Sequence, residues 1–301
     1  MDAPVDFAFP PIYRLHRSRI AKIYNVTHPT APPQLAGDAA FDYALAHHVL
    51  EGAETAARSH DAELFDWYTA NPDAASADKL TPTAVGPRIV LSPALTDLPR
   101  SPISETPYYV LRPETTQAPL NLRSLAASAY ATATGNGFAD LLAAHAVVLC
   151  LLRTKQLGDT LDSWTITRLP GTVFLDHVGD PVVLARDLIH EAGHNWLNDA
   201  LAATSCKISD DAHFYSPWKQ TDRPAFGFLH ACWAFPLTMI YTARVLDRTS
   251  GDLHRCLTAY LDQQRTLLAG TTDDHARALQ LITNDGLRAR LHAVHQQALA
   301  L

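Results

Sequence analysis

The chain has 301 residues, and its 24 basic against 31 acidic side chains give a formal net charge of −7 with no Lys/Arg cluster. That balance argues against nucleic acid and against an anionic membrane surface as partners. The length allows one or two domains, and no break in composition divides it, so a single domain over residues 1–301 is expected.

The opening MDAPVDFAFPPIYRLHRSRI carries early aspartates and prolines where a secretory signal needs a basic start and an apolar run. From Ala39 to about Ala70 the apolar spacing is helical and no proline interrupts it, which predicts one long helix. Nine of the 20 prolines then fall between Pro72 and Pro119, so residues 72–119 should be loops with short extended pieces such as RIVLS and YYVLR. Helical patterning returns from about Leu120 to Gln156, with an interruption at Gly135 and Gly137.

The longest apolar run, Leu141 to Leu152, is too short to span a bilayer and contains His145. Cys150, Cys206, Cys232 and Cys256 are widely spaced and form no C-x-x-C pair, a usage that fits a reducing, cytoplasmic setting.

SWTITRLPGTVFLD, Ser163–Asp176, alternates β-branched and aromatic residues around Pro170-Gly171 and predicts a hairpin. A helix from about Val182 to Leu201 follows, with Pro181 suited to its first turn. A second helix is expected from about Phe226 to Leu246, with shorter ones to the C-terminus. The expected fold is mainly α with a small β-sheet or hairpin, an α+β arrangement whose metal-site core spans 163–247, between two helices.

That core carries DLIHEAGHNWLNDAL. His190 and His194 are four apart on a helix and so share a face, where two imidazoles can meet one ion, and Glu191 lies beside them. The usual protease continuations are missing. Leu197 stands where one of them needs glycine and Ala200 where it needs a third histidine, and no glutamate follows Glu191 to serve the other. The better third ligand is His230, which shares an apolar stripe with Phe226, Trp233, Leu237 and Tyr241. His213 and the aspartates Asp199, Asp210, Asp211 and Asp222 are alternatives.

The intervening loop, HFYSPWKQTDRPAFG, concentrates Tyr215, Trp218, Lys219 and Arg223. Cations fixed beside a metal suit a dicarboxylate co-substrate, since an arginine fork matches a carboxylate in two places. The competing reading is a solvated loop whose cations pair with Asp210, Asp211 or Asp222.

HEAGH, then YSPWK…DRP, then GFLHACWAF resembles a family of bacterial H-E-x-x-H proteins that modify ribosomally made peptides, described as iron- and 2-oxoglutarate-dependent peptide β-hydroxylases. The likeness is clearest from about Ser163 to Val245. It implies Fe(II) on His190, His194 and His230, 2-oxoglutarate as co-substrate anchored by Arg223 with Lys219 and Tyr215 nearby, and a peptide or peptide-like substrate. Lys219 stands where relatives often carry arginine. Ferrous iron with three protein ligands keeps three positions for a 2-oxo acid and dioxygen, whereas zinc keeps one for water. On the first reading Glu191 orients a ligand; on the alternative, a zinc peptidase, it is the general base.

Overall fold

β3 (Val148–Thr154) lies at the centre of the sheet because Val148, Leu149, Cys150 and Leu151 are all fully buried. A continuous apolar run of this kind suits a strand covered on both faces. Leu149 and Leu151 join the core that includes the metal-site helix, and Val148 and Cys150 join a second core beneath α2 (Ala39–Ser59). The two-residue alternation of a strand produces this division.

The computed structural model describes residues 4–29, 38–71, 79–98 and 106–301. Its remaining elements up to the sheet's last strand are α1 (Pro10–Thr27), α3 (Ala62–Ala70), β1 (Leu80–Thr81), β2 (Arg88–Leu91), α4 (Leu120–Thr134), α5 (Ala139–His145), β4 (Ser163–Trp164) and β5 (Thr172–His177). After these come α6 (Pro181–Ala203), β6 (His213–Ser216), β7 (Thr221–Pro224), α7 (Ala225–Leu246), α8 (Gly251–Ala269), α9 (Thr272–Leu279) and α10 (Asp285–Leu299). The protein is mainly helical with one five-stranded sheet, order β1-β2-β3-β5-β4, and a separate hairpin of β6 and β7. Strands β2, β3 and β5 run parallel, and β1 and β4 are antiparallel edges.

Three expectations are corrected. The long helix over Ala39–Ala70 is two helices, because His60 is left-handed (φ 57°) and Asp61 starts a new helix by accepting from the Leu64 amide. The helical reading of Leu120–Gln156 fails after His145, where the apolar run beginning with the β-branched pair Val147 and Val148 enters the sheet. YYVLR forms no strand. The Leu111 amide donates to His48 Nδ1 and the Tyr108 hydroxyl to Glu51, so the segment is held by side chains. Within the proline-rich stretch, RIVLS does supply β2, while 72–78 and 99–105 lie outside the described residues.

Helix α6 starts where Asp180 accepts from the amides of Val182 and Val183, with Pro181 in its first turn. It packs along α7 so closely that a Cβ on Gly193 would lie 3.0 Å from Leu237 Cδ1. Trp233 crosses this contact, donating to the Gly193 carbonyl and stacking on Trp196 with centroids 4.6 Å apart. Tyr241 donates to the Val182 carbonyl farther along, so the stripe read from the sequence is the face α7 turns to α6. No described helix is long and apolar enough to cross a membrane.

Candidate metal centre

His190, Glu191 and His194 bring one ligand atom each to within 4.8 Å of one another, a group able to hold a metal ion. His194 is the middle ring. Its Nε2 lies 3.1 Å from His190 Nε2, and its Nδ1 lies 3.0 Å from His230 Nδ1 on α7. One nitrogen per ring can serve one ion, so His190 and His194 form the converging pair. His230 is the adjacent nitrogen donor.

The residues fit a metal on two further counts. His230 Nε2 and Glu191 Oε2 are buried without a hydrogen-bond partner among the described residues, a costly state that a ligand would relieve. Burial, together with the charges of His194, Arg186 and His230, pushes His190 well below the usual histidine range. Burial first, then His194 and Arg223, does the same for His230, while burial and Arg223 lower His194 to about 4. All three rings are therefore neutral near pH 7, the form that binds metal.

Glu191 is tethered. The Ser163 hydroxyl on edge strand β4 donates to its Oε1 at 2.6 Å, and burial pushes its carboxyl up to about 8. Ser163 was not singled out from the sequence, and no local signal could have found it, since the contact joins residues 28 apart.

The histidines open onto a cavity of about 950 Å³. Its walls are α6, the start of α7, one side of α8 and the segment leading from β3 into β4. Phe226 tilts over His230 with centroids 4.3 Å apart, and Phe235 meets His190 edge-on at 4.8 Å. Arg186 and Tyr260 close the α8 side, the guanidinium carbon 4.6 Å from the tyrosine ring centroid.

Arg223 and Lys219 both line this cavity. Among the described residues neither makes an ion pair with Asp210, Asp211 or Asp222, so the pairing expected of a solvated loop is not realised. Arg223 is part-buried and close enough to depress both His194 and His230; Lys219 is exposed at the rim.

Other candidates fall elsewhere. Tyr215, on β6, is 50% exposed and outside the cavity lining. Side chains alternate along a strand, so the residue next to buried Phe214 and Ser216 faces outward. His213 is exposed and contacts the Asp211 carbonyl at 3.2 Å. Asp199 is buried behind α6 against His16.

No protein-family model and no curated protein matches this chain.

Proposed function

We propose that the protein is an Fe(II)- and 2-oxoglutarate-dependent oxygenase that hydroxylates an unactivated carbon, the β-carbon of a residue in a peptide or peptide-like substrate. One observation carries the reading: Arg223, an arginine without an ion pair among the described residues, lines the same cavity as three neutral histidines drawn from two packed helices. A ferrous ion with a chelating 2-oxo acid supplies the chemistry, in which the acid and dioxygen become succinate and carbon dioxide and one oxygen atom enters a C–H bond.

The chain's own residues do the rest. His190, His194 and His230 are the ligands, all delivered neutral by burial. Arg223 receives the distal carboxylate of the co-substrate in a two-point contact, and Lys219 adds positive charge at the mouth. Phe226 and Phe235 pack against His230 and His190, limiting ring rotation and keeping water from that side. Ser163 fixes the Glu191 carboxyl beside the pair of histidines. The cavity is of the size that takes a small co-substrate together with a substrate side chain.

A zinc peptidase is the second reading, favoured by the closeness of Glu191 to His190 and His194. Against it, one Glu191 oxygen is taken by Ser163 and the other is sealed from solvent, a poor arrangement for a base that must reach a water.

The test is an anaerobic Fe(II) titration with and without 2-oxoglutarate, following the visible charge-transfer band of a chelated 2-oxo acid. Arg223→Ala should weaken 2-oxoglutarate binding ~10-fold or more, the cost of a charge-assisted contact, with metal affinity little changed. Equal loss of both would sink the assignment of Arg223. Absence of the band, with peptide cleavage that needs no oxygen and disappears in Glu191→Gln, would establish the peptidase.

A further inference from the structure

Gly227 lies in the first turn of α7, three residues before His230, where a helix gains nothing from glycine and an alanine would favour the helix. Its backbone φ is not positive, so conformation does not call for glycine either. What stands against it is Arg223. A Cβ built on Gly227 would lie 2.8 Å from Arg223 Nη2, 3.0 Å from Cζ and 3.2 Å from Nε. Three atoms of one guanidinium at such distances mean that the planar group rests on the bare Cα of Gly227.

The seat has a direction. Arg223 is the penultimate residue of β7, one before Pro224, the residue preceding α7, so its side chain must fold back along the helix's first turn to reach Gly227. Folded this way it lines the cavity beside His194 and His230, and Phe226, the residue before Gly227, covers His230. A side chain at 227 would push the guanidinium off the wall. The fold would be spared, because the atoms in the way are the far end of a flexible side chain and not backbone.

We propose that Gly227 is a positioning residue for anion binding: by lacking a side chain it seats the Arg223 guanidinium in the cavity wall, where it takes a planar carboxylate of a ligand bound beside the histidines. This deepens the oxygenase reading but depends only on its anion site, since any small dicarboxylate would use the same seat.

The experiment uses the full chain loaded with Zn(II), with oxalate and 2-oxoglutarate as separate calorimetric probes, in the wild type, Gly227→Ala, Arg223→Ala and the double variant. In Gly227→Ala both dissociation constants should rise ~10-fold, the size expected when a charge-assisted contact is lost. Zn(II) affinity should stay put and the melting temperature should hold or rise, a combination that a merely structural glycine would not give. In the Arg223→Ala background the same substitution should change nothing, because the two residues act through one contact.

Unchanged oxalate and 2-oxoglutarate binding in Gly227→Ala overturns the proposal, as does a parallel loss of zinc affinity or of stability. A wild type that binds neither probe overturns it too and removes the oxygenase reading with it. Oxalate binding that depends on Gly227, in a protein indifferent to 2-oxoglutarate, upholds the seat and sinks the oxygenase.

Discussion

Helix α6 carries ionisable groups on two sides, half-buried His190 and His194 around buried Glu191 on one and buried Asp199 on the other, and the two sides are finished differently. On the cavity side His190, His194 and His230 face one another, and among the described residues no carboxylate is bonded to any of them and Glu191 Oε2 has no partner. On the far side Asp199 is enclosed by partners. His16 Nε2 lies 2.8 Å from its Oδ2 and His145 Nδ1 3.5 Å, and the Tyr43 hydroxyl donates to Oδ1 at 3.3 Å. Nine residues, about two and a half helical turns, separate His190 from Asp199 and turn them to opposite faces. Buried polar groups that complete each other inside the protein hold it together, whereas buried polar groups left incomplete await something from outside.

The sharpest way to break this contrast is to count metal. Alanine at His190 or His194 should abolish stoichiometric metal in elemental analysis of the purified protein. Alanine at His230 should weaken metal binding by more than the roughly 10–100-fold typical of an outer partner. His213→Ala and Asp199→Ala should leave the metal content unchanged, and loss of metal in either of them would overturn the division of α6 into two faces.

Stability comes next. Asp199→Ala strips a buried anion from between two histidines and should cost ~3–5 kcal/mol in denaturant unfolding while metal binding persists. A cost within the scatter of surface substitutions would show that His16 and His145 do not depend on it. Burial alone would raise the Asp199 carboxyl, but the hydrogen bonds and charges of His145 and His16 win and hold it well below the ordinary carboxylate range. Its contribution is thus complete above the unfolded value, about pH 4, and is lost only as the pH falls below that.

The smallest effect per pH unit, and the one spread over most of the working pH range, belongs to the partnered neutral histidines. His48 accepts from the Leu111 amide and contacts Thr172 Oγ1 at 2.9 Å, and burial, with the charge of His47, lowers it to about 3. His275, stacked on His295 with centroids 3.8 Å apart, is lowered by burial and by that ring to about 3. The unfolded chain takes up these protons first. Stability should therefore fall as the pH drops from about 6.5 toward 3, by up to ~1.4 kcal/mol per pH unit for each ring. A flat stability curve between pH 6.5 and 5 in chemical unfolding would contradict the neutral assignment.

The metal helices were legible because their signals are local. Asp180 and Pro181 mark the start of α6, and the stripe through Phe226, His230 and Trp233 marks the face of α7. Strand β3 was not, because a short apolar run reads equally as buried helix or buried strand, and only its neighbours β2 and β5 decide. Nor was α1, whose stretch was read only for the absence of a secretory pattern. The Asp199 partners lie 183 and 54 positions away, and the tether from Ser163 to Glu191 joins separate elements, so no spacing rule reaches them. Tyr215 lies outside the cavity lining for a simpler reason. A tyrosine in a loop rich in cations looks like a ligand contact until the strand's alternation turns it outward.

Trp218 sits at the tip of the β6–β7 hairpin, stacked on Phe235 at 4.7 Å and donating to Gln264 of α8 at 2.7 Å. The rivet joins the arm that carries Lys219 and Arg223 to the opposite wall of the chamber. Widening the mouth on this side would mean shifting α8 together with the arm or pulling the indole off Phe235 and Gln264, so the hairpin and α8 share one latch.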